Sequence, residues 1–206
     1  MVGRFCSVEA IDVDRHATEL FEANLQGIDD RNWTYLAYGP FDALAAYRAF
    51  LSSMATLNDP LFHAVIDGGK AVGVAAYMRI DPPNGVIEVG HINYSPQLQR
   101  KPAGTEAMYL MMRRAFDELG YRRYEWKCDT LNEPSRRAAE RYGFTFEGIF
   151  RQATVYKGRS RDTAWYSLLD SEWPRCKRVF EQWLAPDNFD SDGRQRRSLA
   201  AIRSAG

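Results

Sequence analysis

The stretch that most constrains this chain runs from Val86 to Leu119. The segment Val86-Ile-Glu-Val-Gly-His-Ile-Asn-Tyr94 is apolar and β-rich, and it breaks at Ser95-Pro96. A short basic turn with Arg100 and Lys101 follows. An amphipathic helical pattern then starts near Ala103 and ends at Gly120, a residue suited to the left-handed C′ position. A strand that empties through a basic turn into a helix start can hold a phosphate. The first helical turn has unpaired N–H groups, the macrodipole is positive there, and two basic side chains add whole charges.

Short strands and helices flank this unit. Phe5 to Val13 reads as a strand, with Asp14 capping a helix through about Asn24. Asp42 caps a second helix to about Met54, with Leu44, Tyr47 and Leu51 at helical spacing. Leu61–Ile66 and Ala71–Ile80 flank Asp67-Gly-Gly, a hairpin signal because the glycine pair supplies positive φ. Further on come a strand at Arg122–Cys128 and a helix at Glu133–Tyr142 stopped by Gly143. Strands at Phe144–Arg151 and Ala164–Leu169 surround Lys157-Gly-Arg-Ser-Arg, and a last helix begins at Trp173. This order predicts an α/β (α+β) fold, with a mixed, mostly antiparallel twisted sheet of about six to seven strands and helices on both faces. Residues 1–186 show no composition break and are expected to form one domain, with its core over about 8–169 and a C-terminal helix over about 173–185. Residues 187–206 are polar and Arg-rich and are expected to be a flexible tail.

The 27 basic and 27 acidic residues cancel, which argues against a nucleic-acid or membrane partner. Cys6, Cys128 and Cys176 are too widely spaced for a disulfide framework or a metal site and fit a reducing compartment. Met1–Ala10 lacks the apolar core of a signal peptide, and no stretch approaches the roughly 20 residues that span a bilayer. The expectation is a cytoplasmic protein with no metal.

The loop Gln99-Arg100-Lys101-Pro102-Ala103-Gly104 resembles, position by position, the pyrophosphate loop Gln/Arg-x-x-Gly-x-Gly/Ala of the GNAT superfamily of N-acetyltransferases. Gln99 and Gly104 match, and Pro102 replaces the middle glycine. The helix that opens at Asn132 and ends in Gly143-Phe144 keeps the spacing of the family's helix after its fifth strand. Glu106-Ala107 after Thr105 is similar to the branch that acetylates ribosomal-protein N-termini at alanine. The likeness runs from about Val8 to Leu169. It implies the GNAT fold with splayed central strands and acetyl-CoA as co-substrate. It also implies transfer of an acetyl group to a primary amine, of a small molecule or a protein N-terminus, by direct attack in a ternary complex. The alternative is a non-catalytic acyl-CoA-binding sensor or assembly module with the same fold.

By this resemblance, the backbone of Ile92, Asn93 and Tyr94 pairs with pantetheine and polarises the thioester. Asn132 and Ser135 meet the pantetheine arm, and Gln99, Arg100, Lys101, Ala103, Gly104 and Thr105 hold the pyrophosphate. Proline offers no N–H, so the amides around Pro102 carry that contact. Asn132 also reads as a plain N-cap. Glu88 and His91 are the titratable groups on the wedge strand, and one must accept the amine's proton, directly or through water. Alternation sets them on opposite faces, so only a bulge between them, near Gly90, would bring both to the site. The position where many members carry a tyrosine general acid is Ala139, and Tyr142 reads as packing. Trp33, Tyr35 and Tyr38 either line a slot for the amine or pack. Arg159, Arg161, Asp162 and Trp165 read as fixing the last hairpin or a homodimer contact.

Overall fold

The computed structural model describes residues 1–27 and 29–205. Seven strand-forming runs build the sheet: β1 (Ser7–Ala10), β2 (Leu61–Asp67), β3 (Lys70–Asp81), β4 (Val86–Tyr94), β5 (Arg123–Asp129), β6 (Thr145–Tyr156) and β7 (Arg159–Leu169). Their order is β1-β2-β3-β4-β5-β7-β6, and only the β4–β5 pair is parallel. The β2–β3 hairpin turns on Gly68 and Gly69 at φ +58° and +80°, which residues with a β-carbon resist. Six helices surround the sheet among the described residues: α1 (Val13–Leu25), α2 (Leu44–Ala55), α3 (Pro102–Arg113), α4 (Glu133–Tyr142), α5 (Trp173–Leu184) and α6 (Leu199–Ala205).

Period-two alternation along β3 sorts these layers. Val74 and Ala76 point to the front face, into a core shared with Leu20 of α1 and with Tyr47 and Leu51 of α2. Ala75 and Tyr77 point to the back, where α3, α4 and α5 pack. Residues Ala103 to Met112 of α3 are all buried, as for a helix enclosed by sheet and helix on every side.

Local capping differs in places from the sequence reading. Asp12, not Asp14, caps α1, its carboxylate accepting from the N–H groups of Asp14 and Arg15. Ala43 occupies the cap of α2 without a side-chain bond, so Asp42 does not perform that role. α4 runs over the expected residues and ends on Gly143 at φ +101°. The expected tail is the larger correction. Leu199 and Ile202 of α6 are buried, and Phe189 packs on Trp183 and Phe5. The Arg203 guanidinium donates to the terminal carbonyls of α4, at Glu140 (3.4 Å) and Arg141 (2.9 Å). Few but well-spaced apolar residues anchor the segment, and its polar composition concealed them.

The sheet opens in the middle. β4 pairs with β5 only over Val86–Val89, so Gly90 to Tyr94 have no β5 partner and the two strands leave a wedge. No helix among the described residues is long and apolar enough to cross a membrane.

Candidate functional site

The wedge follows from one extra residue. β3 pairs Ala76 with Gly90 and Val74 with Asn93, so His91 and Ile92 together oppose Ala75. This is the bulge that the separation of Glu88 and His91 required. His91 adopts φ +50°, and its ring reaches the front face between Tyr38 (5.6 Å, stacked) and Phe62 (5.0 Å). Ile92 packs toward the back core. Burial, with the nearby Arg79 charge adding to it, lowers the His91 imidazole below its usual value, so the ring is neutral near pH 7. His16 and His63 each engage Nδ1 with the main chain. His91 makes no hydrogen bond among the described residues, which leaves its nitrogens for a proton from outside.

Glu88 is placed differently from His91. Its carboxylate is 3% exposed, and Oε2 accepts from both Arg79 Nη1 (2.7 Å) and Lys127 Nζ (2.8 Å). Lys127 also meets Glu125 at 2.7 Å and lies 3.8 Å over the Trp165 ring, which stacks on Phe150. Arg123 continues the chain to Glu125 and, through two bonds, to Glu147. Three cations and three carboxylates thus alternate across the front of four strands. Sequence reasoning missed Lys127 and Arg79. Alternation along β5 could have put Glu125 and Lys127 on one face, but nothing local gives their register against Glu88.

The turn after β4 ends on an uncapped helix. Lys101 sits at the N-cap of α3 with no side-chain cap bond, and Pro102 follows. Ala103 and Gly104 have no acceptor for their N–H groups among the described residues. Arg100 takes φ +60°, and Lys101 lies 3.4 Å from Asp67. A β-carbon on Gly104 would sit 3.3 Å from the Tyr94 ring and 3.4 Å from the Leu98 carbonyl, so a bare backbone suits this approach. Thr105 is buried, and its hydroxyl accepts from Arg141. The Asn93 side chain is 1% exposed with both polar atoms unpaired, and the Ser95 hydroxyl is likewise buried and unpaired. Free amides at a helix start and unpaired polar atoms on the adjoining strand fit a phosphorylated, amide-bearing ligand. The Gln99 side chain, by contrast, donates to the carbonyl of Tyr94 (2.7 Å) and to Asn32 Oδ1 (3.1 Å).

On the opposite wall Asn132 acts as the N-cap of α4, its Oδ1 accepting from Ser135 N–H at 3.2 Å. The Ser135 hydroxyl accepts from Trp126 Nε1. Tyr142 is buried, with Trp126 and Phe180 as ring neighbours, and Ala139 is fully enclosed. The connection from α1 to α2 lies over the front. Trp33 is buried against Tyr38, Phe41 and Tyr47, which is the packing role. Tyr35 is half-buried and donates to the Leu131 carbonyl, and Tyr38 stacks on His91. Asp162 accepts from Gln152 N–H, so with Trp165 it fixes the last hairpin.

The family model of the acetyltransferase (GNAT) domain matches residues 12–145. A GCN5-related N-acetyltransferase from Brucella melitensis is 51% identical, with a TM-score of 0.96 over 98% of this chain and 93% of that one. A probable GNAT-family acetyltransferase from Chromobacterium violaceum is 41% identical, with a TM-score of 0.79 over 84% of this chain and 87% of that one. YdaF of Bacillus subtilis, named as a candidate ribosomal N-acetyltransferase, is 29% identical over 171 residues, 81% of this chain and 90% of that protein.

Proposed function

The chain belongs to the acetyltransferase (GNAT) domain family and is an acyltransferase, and on that premise we propose that it moves an acetyl group from acetyl-CoA to the primary amine of a polypeptide, with His91 accepting the proton. The observation that carries this reading is the β4 bulge, which turns the His91 ring onto the front face just before the strand runs into the uncapped start of α3.

Acetyl-CoA supplies an activated carbonyl. Ala103 and Gly104 N–H groups, with Arg100, Lys101 and the first turn through Thr105, bind its pyrophosphate at the positive end of α3. The β5-facing backbone of Ile92, Asn93 and Tyr94 orients the pantetheine arm and donates where negative charge grows on the carbonyl oxygen. Asn132 and Ser135 bound the arm on the other wall. A neutral imidazole at His91 takes the proton from the incoming ammonium and leaves a nucleophilic amine. Glu88, bound to two cations, organises the floor beneath it. Tyr35 and Tyr38 border the acceptor side, with Trp33 packed behind them. The name of YdaF supports a polypeptide acceptor, since the likeness spans nine-tenths of that protein.

The test incubates the pure protein with acetyl-CoA, a panel of peptides with free N-termini and a panel of small amines, and follows thiol release. Release that depends on a peptide and collapses in His91→Gln supports the reading. Release with small amines alone moves the acceptor class. Binding of CoA without turnover on either panel replaces the enzyme with a binding module.

A further inference from the structure

The segment from Asp30 to Phe41, which joins α1 to α2, is tied to both lips of the wedge. On one lip, Asn32 Nδ2 donates to the Tyr94 carbonyl (3.2 Å), and Gln99 Nε2 donates both to that carbonyl and to Asn32 Oδ1. On the other lip, Tyr35 OH donates to the Leu131 carbonyl after β5 (2.8 Å). Lys157, in the turn between β6 and β7, donates to the Trp33 carbonyl (2.8 Å). Six residues beyond Asn32, Tyr38 stacks on the His91 ring. One short strap therefore touches the basic turn before α3 at one point and the proton acceptor at another.

The side chain of Gln99 has an unexpected orientation. It belongs to the basic turn, yet its amide donors face away from the helix start and into the strap. Its own N–H bonds to the Ser95 carbonyl, which fixes the backbone of the turn. Anything that immobilises this turn immobilises the Asn32 anchor with it. Asn24, Leu131 and Lys157 also tie the strap, but the Asn32 anchor is the tie that reaches the turn before α3 and so can pass its state on toward Tyr38.

We propose that Gln99 and Asn32 are positioning residues that couple donor occupancy to the acceptor side: CoA bound at the turn before α3 tightens the strap through this pair and thereby sets Tyr38 and His91 for the amine. The coupling rests on the donor-site reading above. It is energetic linkage between two sites through one contiguous element, and it requires no change of fold.

Hydrogen exchange of the strap amides, with and without coenzyme A, tests it on the full chain, with calorimetry reporting CoA binding separately. In the wild type, CoA slows exchange over residues 33–38 by about tenfold, within the usual range of coupling between sites. Gln99→Leu and Asn32→Leu still bind CoA, but exchange over those residues no longer responds to it. Gln99→Arg restores the response, because a guanidinium supplies donors to both acceptors. A merely structural role for the pair would move the melting temperature and leave the CoA response intact. The proposal is overturned if CoA binds while the strap's exchange stays unchanged, or if the slowing persists in Gln99→Leu. A flat calorimetric trace for the wild type removes the donor reading itself, and the coupling falls with it.

Discussion

His91 sits at φ +50°, a placement that a β-carbon resists by roughly 1–2 kcal/mol. Stacking on Tyr38 and a tilted contact with Phe62 hold it there. His91→Gln is expected to lower kcat/KM by about 10²-fold. The pH profile supplies a second check. Burial lowers the folded pKa below the ordinary 6.5, so the active neutral ring persists through neutrality and is lost only as pH falls through that lowered value. The wild-type acid limb should therefore lie below pH 6.5 and vanish in the variant. An acid limb that survives the substitution would assign the proton elsewhere. The sequence showed His91 and the need for a bulge. It did not show Tyr38 or Phe62 around the ring, since those contacts join residues far apart in the chain.

Among the elements, β3, β4, β5 and β6 carry the alternating charges on the front face. Lys127 is 7% exposed and bridges Glu88 and Glu125, so Lys127→Met leaves two buried carboxylates facing each other. The expected loss is about 3–5 kcal/mol, read from denaturant midpoints, with partial recovery on adding Glu88→Gln. At the rim of the network, hydrogen bonds from Arg123 pull Glu147 down to about 2 from 4.5. Its contribution is complete above pH 4.5 and is lost as pH falls toward 2. Glu147→Gln should therefore lower the melting temperature at pH 7 and match the wild type near pH 2. An equal deficit at both pH values would show that shape, not charge, is what the side chain provides. Period-two alternation made the strands legible. The pairing of β5 with β4, which creates the network, is non-local and left no mark in either strand alone.

Across the whole molecule, the closing segment ties elements that lie far apart in sequence. Leu199 is fully buried in α6, and Leu199→Ala is expected to cost about 3 kcal/mol. That corresponds to a fall in Tm on the order of 10 °C for a chain of this size, measurable by calorimetry. A shift near zero would mean that α6 is not docked in solution. The α/β order, the mostly antiparallel sheet and the helix start at residues 99–104 were readable because each rests on local periodicity or turn chemistry. The folded closing segment was not, because three anchoring apolar residues were diluted in a polar background. The β4 bulge has a consequence for descent as well as for chemistry. Two residues of β4 stand opposite one of β3, so removing either would restore an even register without turning Asn93 or Tyr94 over. A one-residue gap at position 91 or 92 in a related chain would thus mark a lineage that kept the architecture and closed its cleft.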